Sequence, residues 1–220
     1  MNLWLLLPVK PFAQGKSRLA SVLTEGERRS LNQALLQHVL ATALSAKIFS
    51  GATVISRDPR ALELARSHGV EALAEQGSGL NRALAQGRCH AMAKQADALL
   101  VLPADLPLLT IEDLHSLVQQ ATSTSSVVIA PSPDGGTNAL FLQPPTAIPF
   151  RFGRNSFKRH CAAAQRAQLP IHSITSPGLQ TDIDLPQQLA ALPGSLLSAL
   201  AHSSSLRPAS PENESSSFPY

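Results

Sequence analysis

The sequence predicts a three-layer α/β fold, with a mostly parallel central sheet and helices on both faces. Three observations carry that expectation. Short apolar runs recur along the chain and alternate with longer stretches of helical periodicity. Helix-opening signals stand between the two kinds of segment. The strongest apolar runs stop at prolines, which cannot donate to a sheet ladder. Such alternation builds a parallel sheet covered on both sides, and ligands then bind beyond the carboxyl ends of the strands.

The elements follow in order. "NLWLLLPV" is too short to span a membrane, has no basic residues ahead of it and lacks a small-residue cleavage site, so it reads as a buried first strand. "TEGE" at Thr24–Glu27 is a capping box that opens a helix to about Lys47, with Leu31, Ala34, Leu35 and Val39 on one face. "ATVIS" is a second strand. "DPRALELARSHG" is a helix with Asp58 as cap, Pro59 at its first position and Gly69 as its stop. "VEALAE" is a third strand and "LNRALAQGRCHAMAKQA" a third helix. "DALLVLPADLPLL" carries the strongest strand signal, ending at Pro103. Thr110 caps the helix "IEDLHSLVQQA", and "SVVIAP" is a further strand. Residues 1–195 form one domain on this reading, and the Ser- and Pro-rich stretch 196–220 is a disordered tail.

Composition narrows the function. A net charge of +3 and basic residues clustered in loops do not make a nucleic-acid-coating surface. Cys89 and Cys161 lie far apart without a C-x-x-C pattern, which predicts free thiols in a reducing cytoplasm. "GSGLNR" begins like a dinucleotide fingerprint, but Arg82 stands where the third glycine belongs, so a nicotinamide enzyme is disfavoured. "PFAQGKS" lacks the first glycine of a kinase-type phosphate loop. The histidines show no metal spacing, and His38, His68 and His115 fall within helices.

What remains is anion and cation chemistry at the sheet edge. "LPVKPFAQGKSRLA" places Lys10, Lys16 and Arg18 on the loop after the first strand, where three cations imply an anion. Asp105 follows the central run "ALLVL" between prolines. The cap of the next helix is already Thr110, which leaves Asp105 free to hold a hard cation such as Mg2+. Asp182 and Asp184 in "TDIDLP" are spaced i, i+2 and face one side of an extended segment; a solvated turn reads equally well. "PDGGTNALFL" is a hairpin turn, or the same turn aiming amides and the Thr137 hydroxyl at an anion. "FRFGRNSFKRH" puts Gly153 and Ser156 at a helix start amid Arg151, Arg154, Lys158 and Arg159, an anion site of free amides and positive dipole.

Six motifs in order carry a resemblance: "LLPVKPFAQGKSRLA", "GLNRAL", "LPADLPLL", "DGGTNAL", "FGRNSFKRH" and "TDIDLP". Over residues 1–190 the chain resembles the phosphoenolpyruvate or 2-phospho-L-lactate guanylyltransferases of deazaflavin coenzyme F(420) biosynthesis, relatives of the molybdenum cofactor nucleotidyltransferases. The resemblance implies a nucleotidyltransferase (Rossmann-like) fold, GTP as donor, a phosphorylated three-carbon acid as acceptor and Mg2+. It assigns phosphoenolpyruvate contacts to Thr137, Gly153 and Ser156, and metal carboxylates to Asp105, Asp182 and Asp184. Nucleotide contacts fall to Lys10, Lys16, Arg18, Gly79 and Asn81, with Lys10, Lys16, Arg18 and Asp105 as the catalytic set. The other acceptors that fit are 2-phospho-L-lactate and 3-phospho-D-glycerate, and a sugar phosphate or a pterin is the alternative within the fold. A non-catalytic nucleotide-binding module would not need acidic residues on both loops.

Overall fold

A computed structural model describes residues 1–121, 123–194 and 198. The chain opens with strand β1 (Leu3–Val9) and passes a 3-10 turn at Ser17–Leu19 into helix α1 (Glu25–Ser45). It continues through β2 (Gly51–Ser56), α2 (Pro59–Ser67), β3 (Glu71–Ala74), α3 (Leu80–Ala93) and β4 (Ala98–Val101). The second half adds α4 (Ile111–Gln119), β5 (Ser126–Pro131), β6 (Thr137–Gln143), α5 (Ser156–Arg166), β7 (Ile171–Ser173) and the four-residue α6 (Pro177–Gln180).

The helix starts follow the expected chemistry. Thr24 and Glu27 close a capping box on α1, Thr110 and Asp113 close another on α4, and the Asp58 side chain accepts from the Arg60 N–H on α2. Helix α1 ends two residues before the expected Lys47, which takes a left-handed φ of 54°. Strand β4 stops at Val101, short of the expected Pro103. Strand β7 and α6 carry no periodic signal and were not expected. Of the tail expected over 196–220, all but Ser198 lies outside the described residues.

The seven strands stand in the order β3-β2-β1-β4-β6-β5-β7. All pairings are parallel except those of β6, which runs antiparallel to both β4 and β5. Alternation along β1 sorts the two cores. Leu3, Leu5, Leu7 and Val9 pack with Leu36, Val39 and Leu40 of α1 and with residues of α2 and α4. Trp4 and Leu6 face the other way, towards Ala83 and Leu84 of α3 and Ala164 of α5.

Two consequences position the site. The chain winds outward from β1 to β3 and then returns to the other side of β1, so the carboxyl ends of β1 and β4 flank a topological switch point, where open α/β sheets bind ligands. A third apolar cluster joins Leu19 of the first loop, Leu31 and Leu35 of α1, and Ile183 near the chain end. That cluster anchors two segments distant in sequence beside the switch point. Among the described residues no helix is long and apolar enough to cross a membrane.

Candidate active site

The first loop is held from both sides before any ligand arrives. The Phe12 N–H donates to Asp58 Oδ2 at 2.7 Å, while Asn32 of α1 donates through Nδ2 to the Phe12 carbonyl at 2.8 Å. A Cβ on Gly15 would lie 2.5 Å from the Asn32 amide, so any larger residue there would have to displace the Asn32 side chain that holds the Phe12 carbonyl. The turn that follows puts Lys16 in the left-handed region, at φ 56°, a costly conformation for a side-chain-bearing residue.

That conformation sends Lys16 inward. Its Nζ lies 2.5 Å from Asp105 Oδ2 and 3.2 Å from Asp184 Oδ1, and the residue is only 8% exposed. Burial opposes the charge, but Asp105 and Asp184 outweigh it and hold the ammonium above its ordinary value. Arg18 is more exposed and approaches Asp184 Oδ2 at 3.8 Å. Asp182 completes the cluster, since Ile183 is fully buried and turns both its neighbours to one side. The three carboxylates each offer an oxygen within 4.8 Å of the others. Burial first, and then the charges of Asp105 and Asp184, push the Asp182 carboxyl above its usual range. Three hard oxygen donors that repel one another fit a divalent cation such as Mg2+.

A cavity of about 340 Å³ opens beside this cluster. Its lining includes Lys10, Gly15, Lys16, Asp105 and Asp184 together with Arg57, Glu75, Gly79 and Leu80. Because the strands stand in the order β3-β2-β1-β4, Asp105 follows β4 on one side of β1, and Arg57 and Glu75 follow β2 and β3 on the other. Glu75 was not singled out from the sequence. It leaves the end of β3 with a side chain only 10% exposed, one oxygen held by Arg57 Nε at 3.3 Å. Gly79 caps α3 at φ 105°, a conformation that favours glycine.

A second group forms where β6 begins. Because β6 is antiparallel to β4, with Val101 opposite Leu140, Thr137 lies at the same edge from which Asp105 leaves β4. The turn before it is the expected hairpin, with the Gly135 N–H on the Ser132 carbonyl and the Gly136 N–H on Asp134 Oδ1. Bonds from Ser132 and the Gly136 amide, together with the charge of Arg18, hold Asp134 below the usual carboxylate range.

Here the structure corrects the amide reading. The Ser156 N–H donates to the Gly153 carbonyl and the Phe157 N–H to the Gly135 carbonyl, so these amides at the start of α5 are already used. Ser156 is 1% exposed and its hydroxyl donates to Thr137 Oγ1 at 3.1 Å. Gly153, at φ 115°, shapes the loop. Asn81, expected at the nucleotide, lines no part of the cavity. Its side-chain amide bonds both backbone groups of Phe152, at 2.8 and 3.1 Å.

His160 completes this corner and was missed in the sequence. It is fully buried, its Nδ1 lies 3.1 Å from Thr137 Oγ1, and its Nε2 accepts the Arg151 N–H at 2.9 Å. Burial, then the charges of Arg159 and Arg151, lower its pKa to about 4, so the ring is neutral at physiological pH. The available signal was its spacing: His160 lies four residues after Ser156, on the same face of α5.

The fold and the acidic edge of the sheet are those of a nucleotidyltransferase. Among solved structures, a provisionally named nucleotide-diphospho-sugar transferase from Desulfovibrio desulfuricans G20 superimposes with a TM-score of 0.74 at 17% identity, over 93% of this chain and 96% of that one. A nucleotidyl transferase from Methanothermobacter gives 0.63 at 11% identity, over 89% and 98%. In sequence, the phosphoenolpyruvate guanylyltransferase of Sphaerobacter thermophilus is 41% identical over 190 residues, 86% of this chain and 91% of that protein. That of Rubrobacter xylanophilus is 40% identical over 196 residues, 89% and 95%. The pattern of the family described as Guanylyl transferase CofC like matches residues 3–194. The chain belongs to that family of guanylyltransferases.

Proposed function

We propose that this protein transfers GMP from GTP to phosphoenolpyruvate, giving enolpyruvyl-diphospho-guanosine and pyrophosphate in the assembly of the deazaflavin coenzyme. The observation that carries the reading is the convergence of Asp105, Asp182 and Asp184 around the buried Lys16 at the switch point. The names of the relatives support guanine as the base and phosphoenolpyruvate as the acceptor. Cys89 and Cys161 are unpaired, which supports a reducing cytoplasm as its compartment.

A divalent cation held by the three carboxylates supplies positive charge to the polyphosphate when bound. The rest of the chemistry belongs to the chain. Lys10 and Lys16 line the phosphate end of the cavity and Arg18 stands beside it. The base then extends towards Glu75. A carboxylate there accepts from the N1–H and amino group of guanine and opposes the N1 lone pair of adenine. An acceptor phosphate oxygen attacks the α-phosphorus in line, the bond to the bridging oxygen of the β-phosphate breaks, and pyrophosphate leaves with that electron pair. The attacking phosphate is already ionised at neutral pH, so no general base is needed; positioning and charge supply the rate.

The direct test incubates the protein with GTP, Mg2+ and, separately, phosphoenolpyruvate, 2-phospho-L-lactate or 3-phospho-D-glycerate, and identifies products by mass. The expected result is a guanylylated product with phosphoenolpyruvate. Product with another acceptor alone corrects the acceptor, and no pyrophosphate with any of them overturns the reading.

A further inference from the structure

We propose that His160 is a positioning residue that fixes the direction of the Thr137 hydroxyl proton and so turns Thr137 into a dedicated donor for the acceptor's anionic group. The inference rests on the reading of the Thr137 corner as the acceptor site.

The argument is a count of protons and lone pairs. The Arg151 backbone N–H can only donate, so His160 Nε2, 2.9 Å away, must present its lone pair. In a neutral imidazole the single proton then sits on Nδ1. Nδ1 lies 3.1 Å from Thr137 Oγ1, and that proton is donated there. Ser156 Oγ donates to the same oxygen, also at 3.1 Å. Ser156 is buried, and among the described residues its hydroxyl meets no other acceptor. A hydroxyl oxygen has two lone pairs. Both are taken, so Thr137 has only its own proton left to offer.

Exposure gives the direction of that offer. His160 is 0% exposed and Ser156 1%, while Thr137 is the half-buried member of the three. The two buried groups supply hydrogen bonds from within, and the third, at the start of β6, is the member of the trio that a ligand can reach. A ligand that accepts hydrogen bonds, such as a phosphate or carboxylate oxygen, suits that position, and a donor does not. The edge of the Phe152 ring against His160, with centroids 4.9 Å apart at 71°, and the Arg151 amide keep the imidazole from turning over.

The test separates the two ends of the ring. His160→Gln can keep an acceptor near the Nε2 position while losing the donor near Nδ1; His160→Asn does the reverse. With folding checked by circular dichroism, the KM for phosphoenolpyruvate is measured by pyrophosphate release at saturating GTP and Mg2+. His160→Gln is expected to raise it about tenfold, the scale of one hydrogen bond to a charged group, with the KM for GTP unchanged. His160→Asn is expected to restore most of that loss. Thr137→Val should show the same rise, and His160→Gln should add nothing in its background. A rise in Thr137→Val with none in His160→Gln overturns the role of His160 alone. An unchanged KM in Thr137→Val overturns the acceptor-site reading and this inference with it. Nitrogen NMR of the free protein supplies an arm that needs no turnover: Nδ1 protonated and Nε2 bare is expected, and the opposite tautomer overturns the proposal.

Discussion

Two clusters share one edge of the sheet and are built on opposite principles. Around Lys16 everything is charged: one buried ammonium, three carboxylates and an arginine at the rim. Around Thr137 the bonded groups are neutral: a serine, a threonine and an imidazole that burial keeps unprotonated. The charged cluster holds partners that a cation and a polyphosphate can take over, because ammonium and carboxylates exchange one counter-ion for another at little geometric cost. The neutral cluster has nothing to exchange. Its bonds are complete before the ligand arrives, except for the one proton that faces out. On the proposed reading, strong charges serve the group that departs, and a preset hydrogen bond serves the group that must be aimed.

The widest separation between the two is expected at Asp105. Asp105→Asn keeps the shape but removes the charge shared by Lys16 and the cation site, so turnover should fall about a thousandfold with the far-ultraviolet spectrum retained. Near-normal turnover would mean that the charged cluster is structural.

Acid stability should distinguish the neutral cluster. The folded pKa of His160 lies at about 4 against an ordinary 6.5, so between those values the unfolded chain binds the proton that the folded ring refuses. Stability is highest above the ordinary value and falls as pH drops through that window. At about 1.4 kcal/mol per pH unit, the loss attributable to this ring is roughly 3 kcal/mol. Urea unfolding at pH 7 and pH 4.5 measures it, and His160→Asn should flatten that part of the profile. An identical profile in the variant would deny the buried neutral ring.

Lys16→Ala should weaken GTP binding by about 1.5–3 kcal/mol, roughly ten- to a hundredfold, with the acceptor term little changed. Titration calorimetry with each substrate decides this; equal losses for both would erase the division of labour. The smallest effect is expected for Ser156→Ala. Its hydroxyl is buried against Thr137 and bonds a neutral oxygen, so the acceptor term should weaken by only about 1 kcal/mol. A loss many times larger would place the Ser156 hydroxyl on the ligand itself.

Much of the scaffold was legible because its signals are local. Thr24, Asp58 and Thr110 cap the helices they precede, and the apolar runs became β1 to β5. The acidic residues were also legible, since Asp105 follows a strong strand and Asp182 and Asp184 share a two-residue period. Their convergence was not, because Lys16 and Asp184 are 168 positions apart and meet only through the cluster of Leu19 and Ile183. The sequence reads Lys16 as one of three loop cations facing an anion, and its left-handed backbone, which turns it into the carboxylates, has no sequence mark. The opening amides of α5 were read as free because sequence does not show that carbonyls of Gly153 and Gly135 cover them. Strand β7 was invisible for a different reason: three residues at a sheet edge, two of them polar, show no period.

The Asn81 amide has a consequence of its own. One end of α3 lines the cavity beside Lys16, and the same helix holds the backbone of Phe152, next to Gly153, through both hydrogen bonds of a single side chain. On the proposed assignment of the two sites, a nucleotide that settles α3 would also settle the Phe152 loop, and a ligand on that loop would settle α3 in return. Binding free energies then obey reciprocity: whatever factor GTP contributes to acceptor affinity, the acceptor returns to GTP. Cutting the tie with Asn81→Ala should leave two sites that each still bind but no longer alter one another's affinity.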